Sequence, residues 1–168
     1  MRQHLAFLRY FFKHKIYVWH AGQRLDVPWW SLLWHDMDKV LCRDEYPHYF
    51  NAWRFSMPVP PQAKLRHYRR TRHHWQSWVV LQDDGKAVAL PIPLRHRLEM
   101  IADWQGAAKV TGGTDGTAWY RQHGDSIVLH DNTRARVEQE LGIKEPHFIP
   151  TDKSGGFRAE SSVRLFRV

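Results

Sequence analysis

The chain has a single cysteine, Cys42, in 168 residues. One thiol cannot build an internal disulfide framework or a Cys-type structural zinc site, so it fits a reducing, cytoplasmic setting, and Cys42 reads as a small core residue. No apolar run reaches the roughly 20 residues that a membrane-spanning helix needs. The basic, apolar N-terminus "MRQHLAFLRYFFKHKIYVWHAG" lacks a small-residue cleavage site and carries charge through its apolar stretch. It therefore reads as a folded amphipathic helix and not as a targeting segment. Internal repeats and low-complexity segments are also missing. The stretch "TGGTDGT" lacks the Lys-Ser/Thr ending of a phosphate loop and reads as a turn. No serine sits in a nucleophile-elbow context, which removes acyl-transfer chemistry.

Aromatic residues, positive charge and histidine are abundant. Nine Trp, eight Phe and six Tyr predict a thick core. The length fits one domain, and the expected division is a helical domain over 1–142 with an irregular C-terminal extension over 143–168, where Pro, Gly and Ser mix with short strand-like pieces. A net charge of +8 and a pI near 9.9 favour anionic partners, because a positive field concentrates phosphates and carboxylates.

The apolar pattern predicts a mostly α-helical fold with one β-hairpin. Leu5, Leu8, Phe12 and Ile16 repeat at helical spacing, with Phe11 and Trp19 alongside, and Gly22 is the expected stop. Asp26 is the expected cap of a second helix, "WWSLLWHD", that delivers His35 and Asp36 at its end. A third helix is expected over about 43–56, with Tyr46, Tyr49, Phe50 and Trp53 on one face. After the break "MPVPP", a fourth should run from Gln62 through "AKLRHYRRTRHHWQSW". The stretch "WVVLQDDGKAVAL" turns at Asp84-Gly85 as a hairpin. "LRHRLEMIADWQGAAKV" is again helical, with Leu98, Ile101 and Ala102 inward and Glu99 and Asp103 four apart on one side. Two short helices follow, "TAWYRQHG" and "NTRARVEQELG".

The chemistry is carried by the twelve histidines. His14 lies inside the first helix, His35-Asp36 end the second, His67 and His73-His74 lie on the fourth, and Asp103 lies on a later helix. Imidazole and carboxylate together suit borderline or hard divalent ions. Ligands on different helices are what a site inside a bundle requires. His4, His20, His48, His96, His123, His130 and His147 read as hydrogen-bonded core residues. Adjacent helical side chains point about 100° apart, so only one of His73 and His74 is expected to face a shared cleft. Glu45 and Glu99 read as surface or helix-pair carboxylates, with support of a histidine as the other reading.

A histidine, a His-Asp doublet with lysine three positions on ("HDMDK"), further histidines and a distant aspartate together resemble the HD-domain superfamily of metal-dependent phosphohydrolases. His67 followed by His73-His74 is similar to the extra histidines of its two-metal members. More closely, "HKIYVWHAG", "LLWHDMDKV", "DEYPHYF", "RHHWQSWVV" and "EMIADWQGA" look like a small uncharacterised family of bacterial and phage proteins with HD-like residues, over about 12–108. The resemblance implies an HD-like bundle of about five core helices. It implies that His14, His35, Asp36 and Asp103 hold a first metal. His67, His73 and His74 are candidates for a second metal or for phosphate contacts, with Asp36 bridging. It also implies Asp36 and Lys39 as catalytic residues. Lys39 with Arg69, Arg70 and Arg72 would bind substrate phosphates. Two departures stand out: Asp38 follows the doublet where a small residue is common, and Thr71 stands where the closer family carries asparagine. The absence of a "GYP" loop argues against a cyclic-dinucleotide substrate.

The reading is a phosphohydrolase that uses a metal-activated water on a nucleotide or other small phosphate ester. It takes one or two divalent ions, with manganese, iron, magnesium, nickel, cobalt and zinc not distinguished. Two alternatives stand beside it. One is a non-catalytic HD-like protein that uses the basic face "KLRHYRRTRHH" for nucleic acid or a protein partner. The other is a di-iron oxidative enzyme. No membrane partner is expected, and the spacing identifies no oligomer surface.

Overall fold

A computed structural model describes residues 1–113 and 115–143. The expected C-terminal extension lies outside the described residues from 144 on, as does His147. The described chain is a helical bundle with one two-stranded hairpin: α1 Arg2–Arg24, α2 Trp29–Trp34, α3 Asp38–Leu41, α4 Tyr46–Phe55, α5 Pro61–Arg70, β1 Val79–Leu81, β2 Ala87–Ala89, α6 Leu94–Val110, α7 Gly116–His123 and α8 Asp131–Glu140. No described helix is long and apolar enough to cross a membrane.

Helices α1 and α6 share the most extensive contact of any two elements among the described residues. They approach closely because Gly106 has no side chain: a Cβ there would stand 2.4 Å from Val18 Cγ2 and 2.9 Å from the Val18 backbone nitrogen. The obstacle is partly backbone, so it cannot move aside. Gly106→Ala is therefore expected to destabilise the fold by about 1–3 kcal/mol through overpacking, read as a lower denaturant midpoint with an unchanged slope. Val18, Ala21, Leu32, Leu98 and Ala102 fill the layer between α1, α2 and α6. Met100, Ile101, Trp104, Tyr120 and Val137 build a second core toward α7 and α8.

Several expectations change on contact with the structure. The buried stripe of α1 is Phe7, Phe11, His14, Val18 and Ala21, whereas Leu5, Phe12 and Ile16 are 51, 48 and 55 % exposed. Both stripes have helical spacing, and the one that aligns with the aromatic face of α4 is buried: Phe7 packs edge-on against Tyr46 and Phe50. Gly22 does not stop the helix. It is buried within α1 and gives Leu32 of α2 room to pack. Asp26 does not cap α2, whose N-cap is Pro28.

The fourth helix ends at Arg70, earlier than its sequence suggests. Ser77 Oγ donates to the Tyr68 carbonyl at 2.9 Å, Thr71 Oγ1 donates to the His67 carbonyl, and the Trp78 indole donates to the Arg72 carbonyl. These bonds occupy carbonyls that further helical turns would use. The aromatic surplus is only partly core, since Trp29 and Trp34 are each 64 % exposed. The six unassigned histidines among the described residues are exposed or half-buried and not in the core.

Candidate metal centre

Four of the described histidines are buried, His14, His35, His67 and His73, and all four converge on Asp36. The convergence depends on local backbone. α2 ends at Trp34, and Lys15 of α1 reaches across to donate to the carbonyls of Leu32, Leu33 and His35 at 3.2, 2.9 and 2.8 Å. A cation at a helix C-terminus satisfies orphan carbonyls and complements the dipole. The chain then turns through Asp36 in the left-handed region, φ 58°. Aspartate tolerates that region better than most residues. The turn sends two adjacent side chains, His35 and Asp36, into the same interior.

The two oxygens of Asp36 face different partners. On the Oδ2 side stand His35 Nε2 at 3.6 Å, His14 Nε2 at 3.9 Å and Lys39 Nζ at 2.5 Å. Asp103 Oδ1 completes this side, 3.1 Å from His14 Nε2 and 3.3 Å from His35 Nε2. On the Oδ1 side stand His67 Nε2 at 3.3 Å and His73 Nε2 at 3.5 Å. His74 Nε2 lies 2.8 Å from His67 Nε2. The break in α5 matters here: His74 has extended backbone, so the 100° rule for helical neighbours does not apply. His73 and His74 both enter the cluster. Two ligands bound at about 2.1 Å to one ion stand roughly 3.0–3.4 Å apart, and the donor pairs of the two sets lie 2.8–3.9 Å apart, on either side of that spacing.

The distal imidazole nitrogens are held by carboxylates. His67 Nδ1 donates to Asp38 Oδ2 at 2.8 Å. His35 Nδ1 and His73 Nδ1 share Glu99 Oε1, at 3.1 and 3.3 Å. Ser31 Oγ donates to the other oxygen of Glu99 at 2.5 Å. With Nδ1 held by carboxylates, the Nε2 atoms face Asp36, where each offers a lone pair to an ion once it is deprotonated. Glu99 is thus buried at the site, and the surface reading is overturned. Only its four-residue offset from Asp103 on α6 hinted at this. Glu45 is also fully buried, paired with Arg66 Nε at 2.6 Å and Arg70 Nη1 at 3.0 Å and with no histidine among the described residues.

Electrostatically the cluster demands positive charge. Burial would raise the pKa of Asp36, but Lys39 and His35 outweigh it and hold the carboxyl well below its usual range. Burial likewise opposes ionisation of Asp103, and hydrogen bonds from His14 and His35 hold it low. Glu99 is lowered against its burial by His35 and His73. Burial pushes the His35 pKa down, yet Asp36 and the bonds to Asp103 and Glu99 raise it to about 10. His74 is pushed well below its usual value by burial and by His73, and so offers a free lone pair. Asp36 Oδ1 and His73 Nε2 are buried and have no hydrogen-bond partner among the described residues. Burial and the neighbouring His35 push the His73 pKa down, but Asp36 and Glu99 raise it, so the two atoms face each other either across a proton on Nε2 or across a bound cation. The donor set fits a divalent ion on each side of Asp36.

Two cavities flank the cluster and share no lining residue. The first, about 400 Å³, has His14, Asp36, Lys39 and Asp103 in its wall, facing Tyr10, Tyr49 and Trp53. Of the expected phosphate-binding cations only Lys39 lines it. Arg70 and Arg72 line the second cavity, and Arg69 is exposed and lines neither.

The model of one protein family, described as a family of unknown function (DUF5662), matches residues 3–143. The match extends well past 12–108, where the sequence resemblance was visible, and covers the whole described helical domain. No curated protein and no solved structure matches the chain.

Proposed function

The chain belongs to the DUF5662 family, whose function is unknown, and from its site we propose that it is a metal-dependent phosphohydrolase acting on a small phosphate ester in the cavity lined by Lys39. One observation carries this reading: the two carboxylate oxygens of a single buried aspartate, Asp36, each face a separate set of imidazole nitrogens. A shared carboxylate between two ions is a recurrent arrangement for in-line displacement at phosphorus. The motif likeness of "HDMDK" to HD phosphohydrolases supports the same chemistry.

His14, His35, Asp36 and Asp103 would hold one ion, and Asp36, His67, His73 and His74 a second. Such ions supply Lewis acidity and a lowered water pKa. The chain's own groups do the rest. Lys39 projects into the cavity beside Asp36 and binds a non-bridging phosphoryl oxygen. Its ammonium is kept charged by Asp36 and Asp103 against burial. Tyr10, Tyr49 and Trp53 enclose the organic part of the substrate and thin the water around the reacting phosphate. A cavity whose one lining lysine or arginine is Lys39 suits a monophosphate ester better than a triphosphate.

Glu99 fixes the orientation of one imidazole in each set, His35 and His73. Glu99→Gln is expected to weaken binding at both ions by about 10–100-fold, the usual cost of losing a carboxylate behind a ligating histidine. Competition against a chromophoric chelator measures it, and a loss at only one ion would contradict the shared role.

The reading itself is tested by reconstituting the purified protein with manganese, iron, cobalt, nickel, zinc or magnesium and assaying a phosphomonoester, a phosphodiester and a nucleotide panel. Hydrolysis that a chelator abolishes and a divalent ion restores supports it. Bound metal without hydrolysis of any substrate rejects it. Iron-dependent visible absorbance with oxygen consumption would instead support the oxidative alternative.

A further inference from the structure

The proposed chemistry uses only one face of the cluster. Behind His35, His73 and Glu99 lies the second cavity, about 280 Å³. Three segments build its outer walls: Trp30 and Trp34 of α2, Arg70 and Arg72 at the end of α5, and Arg95 and His96 in the first turn of α6. They come together because α5 breaks at Thr71 and throws Arg72 outward while His73 turns in.

The charges here are not internally balanced. Glu99 is the one carboxylate in the lining, and Ser31, His35 and His73 already occupy it. Arg70 is committed to Glu45. Arg72 and Arg95 have no carboxylate within ion-pair distance among the described residues. The Arg95 guanidinium lies 4.9 Å from the Trp30 ring centroid, and its Nη2 donates to His96 Nε2 at 3.0 Å. That bond puts the imidazole proton on Nδ1, a buried N–H donor with no partner among the described residues. Trp30 and Trp34 remain 44 and 64 % exposed.

An inorganic anion would satisfy the arginines and leave the indole faces in water. An apolar helix would cover the indoles and leave two guanidinium groups buried without partners. A ligand that is flat and aromatic at one end and anionic at the other satisfies both. The volume lies just below the range for small-molecule sites, about 300–1,000 Å³, and suits no more than one such unit. We propose that this cavity is a nucleotide-binding site on the far side of His35 and His73 from the Lys39 cavity, with the base against Trp30 and Trp34 and the phosphate between Arg72 and Arg95. This does not rest on the hydrolase reading, because no group in the metal-facing cavity takes part.

The test is calorimetric titration of chelator-treated full-length protein with adenosine monophosphate, adenosine, inorganic phosphate and an oligothymidylate. Chelation prevents turnover, so the result is independent of whether the protein hydrolyses anything. Adenosine monophosphate is expected to bind one per chain and more tightly than adenosine or phosphate alone. The exposed pair Arg72→Ala/Arg95→Ala, checked for unchanged circular dichroism, is expected to weaken it about ten- to a hundredfold, as loss of charge-assisted bonds does. Trp34→Ala should also weaken adenosine monophosphate while leaving phosphate unaffected. Absence of mononucleotide binding overturns the proposal, as does binding that survives the arginine pair or is matched by phosphate alone. Binding of the oligothymidylate only, with steep salt dependence, would mark a polynucleotide surface and equally overturn it.

Discussion

Asp36→Asn is expected to strip both ions from the purified chain and to lower hydrolysis by about a thousandfold or more, since the ions' charge stabilisation is worth several kcal/mol. Asparagine is the informative replacement. It keeps the size of the side chain and tolerates the left-handed backbone at φ 58°. Alanine there would add a backbone cost of about 1–2 kcal/mol that has nothing to do with metal. The amide offers one neutral oxygen where the carboxylate offers two charged ones, so it cannot serve both imidazole sets. Elemental analysis after reconstitution, beside the phosphatase assay, reads the effect. Unchanged metal content in the variant would mean that Asp36 is not shared between ions, and the two-sided arrangement of donors would need another cause.

Removal of metal should be felt by the whole fold. The donors come from α1, the turn after α2, α5 with the turn that follows it, and α6, so ions at Asp36 tie together four regions that are distant in sequence. An ion held at a hundred times its dissociation constant stabilises the native state by about 2.7 kcal/mol. For a domain of this size that corresponds to a melting temperature about 5–10 °C higher, at roughly 2–4 °C per kcal/mol. Chelation is expected to reverse this in differential scanning calorimetry, and readdition of the ion to restore it. Binding should also release protons, because His35 carries one when Asp36, Asp103 and Glu99 have no other cation to face. A melting curve indifferent to chelator would mean that the protonated imidazoles and Lys39 already balance the carboxylates.

Much of this is legible in the sequence alone. Helix α6 is found over the seventeen residues its pattern marks, with Leu98, Ile101 and Ala102 buried as expected. The Asp84-Gly85 turn joins two paired strands, Gly85 taking positive φ. Residue type and the HD-like resemblance together mark His14, His35, Asp36, His67, His73, His74 and Asp103 as candidate ligands, and the structure gathers them within two overlapping groups. Other features were hidden for identifiable reasons. The first helix is apolar on more than one stripe, so periodicity alone could not choose between the Phe7–Phe11 face and the Leu5–Phe12 face. The end of α5 has no glycine or proline to mark it; the stop is made by hydroxyls and an indole several residues downstream.

Residue chemistry and spacing therefore determined the helical class, the hairpin and the donors available to a metal, because helix pattern, turn chemistry and ligand type are local properties. Tertiary structure alone decided which oxygen of Asp36 meets which imidazole. It decided that Glu99 stands behind two histidines at once, and that Arg70 and Arg72, at and just past the end of α5, face a second cavity away from Lys39. Those outcomes depend on where α1, α2, α5 and α6 cross, on the break at Thr71 and on the left-handed turn at Asp36. Each is set by contacts between residues far apart in the chain, which no window along the sequence contains.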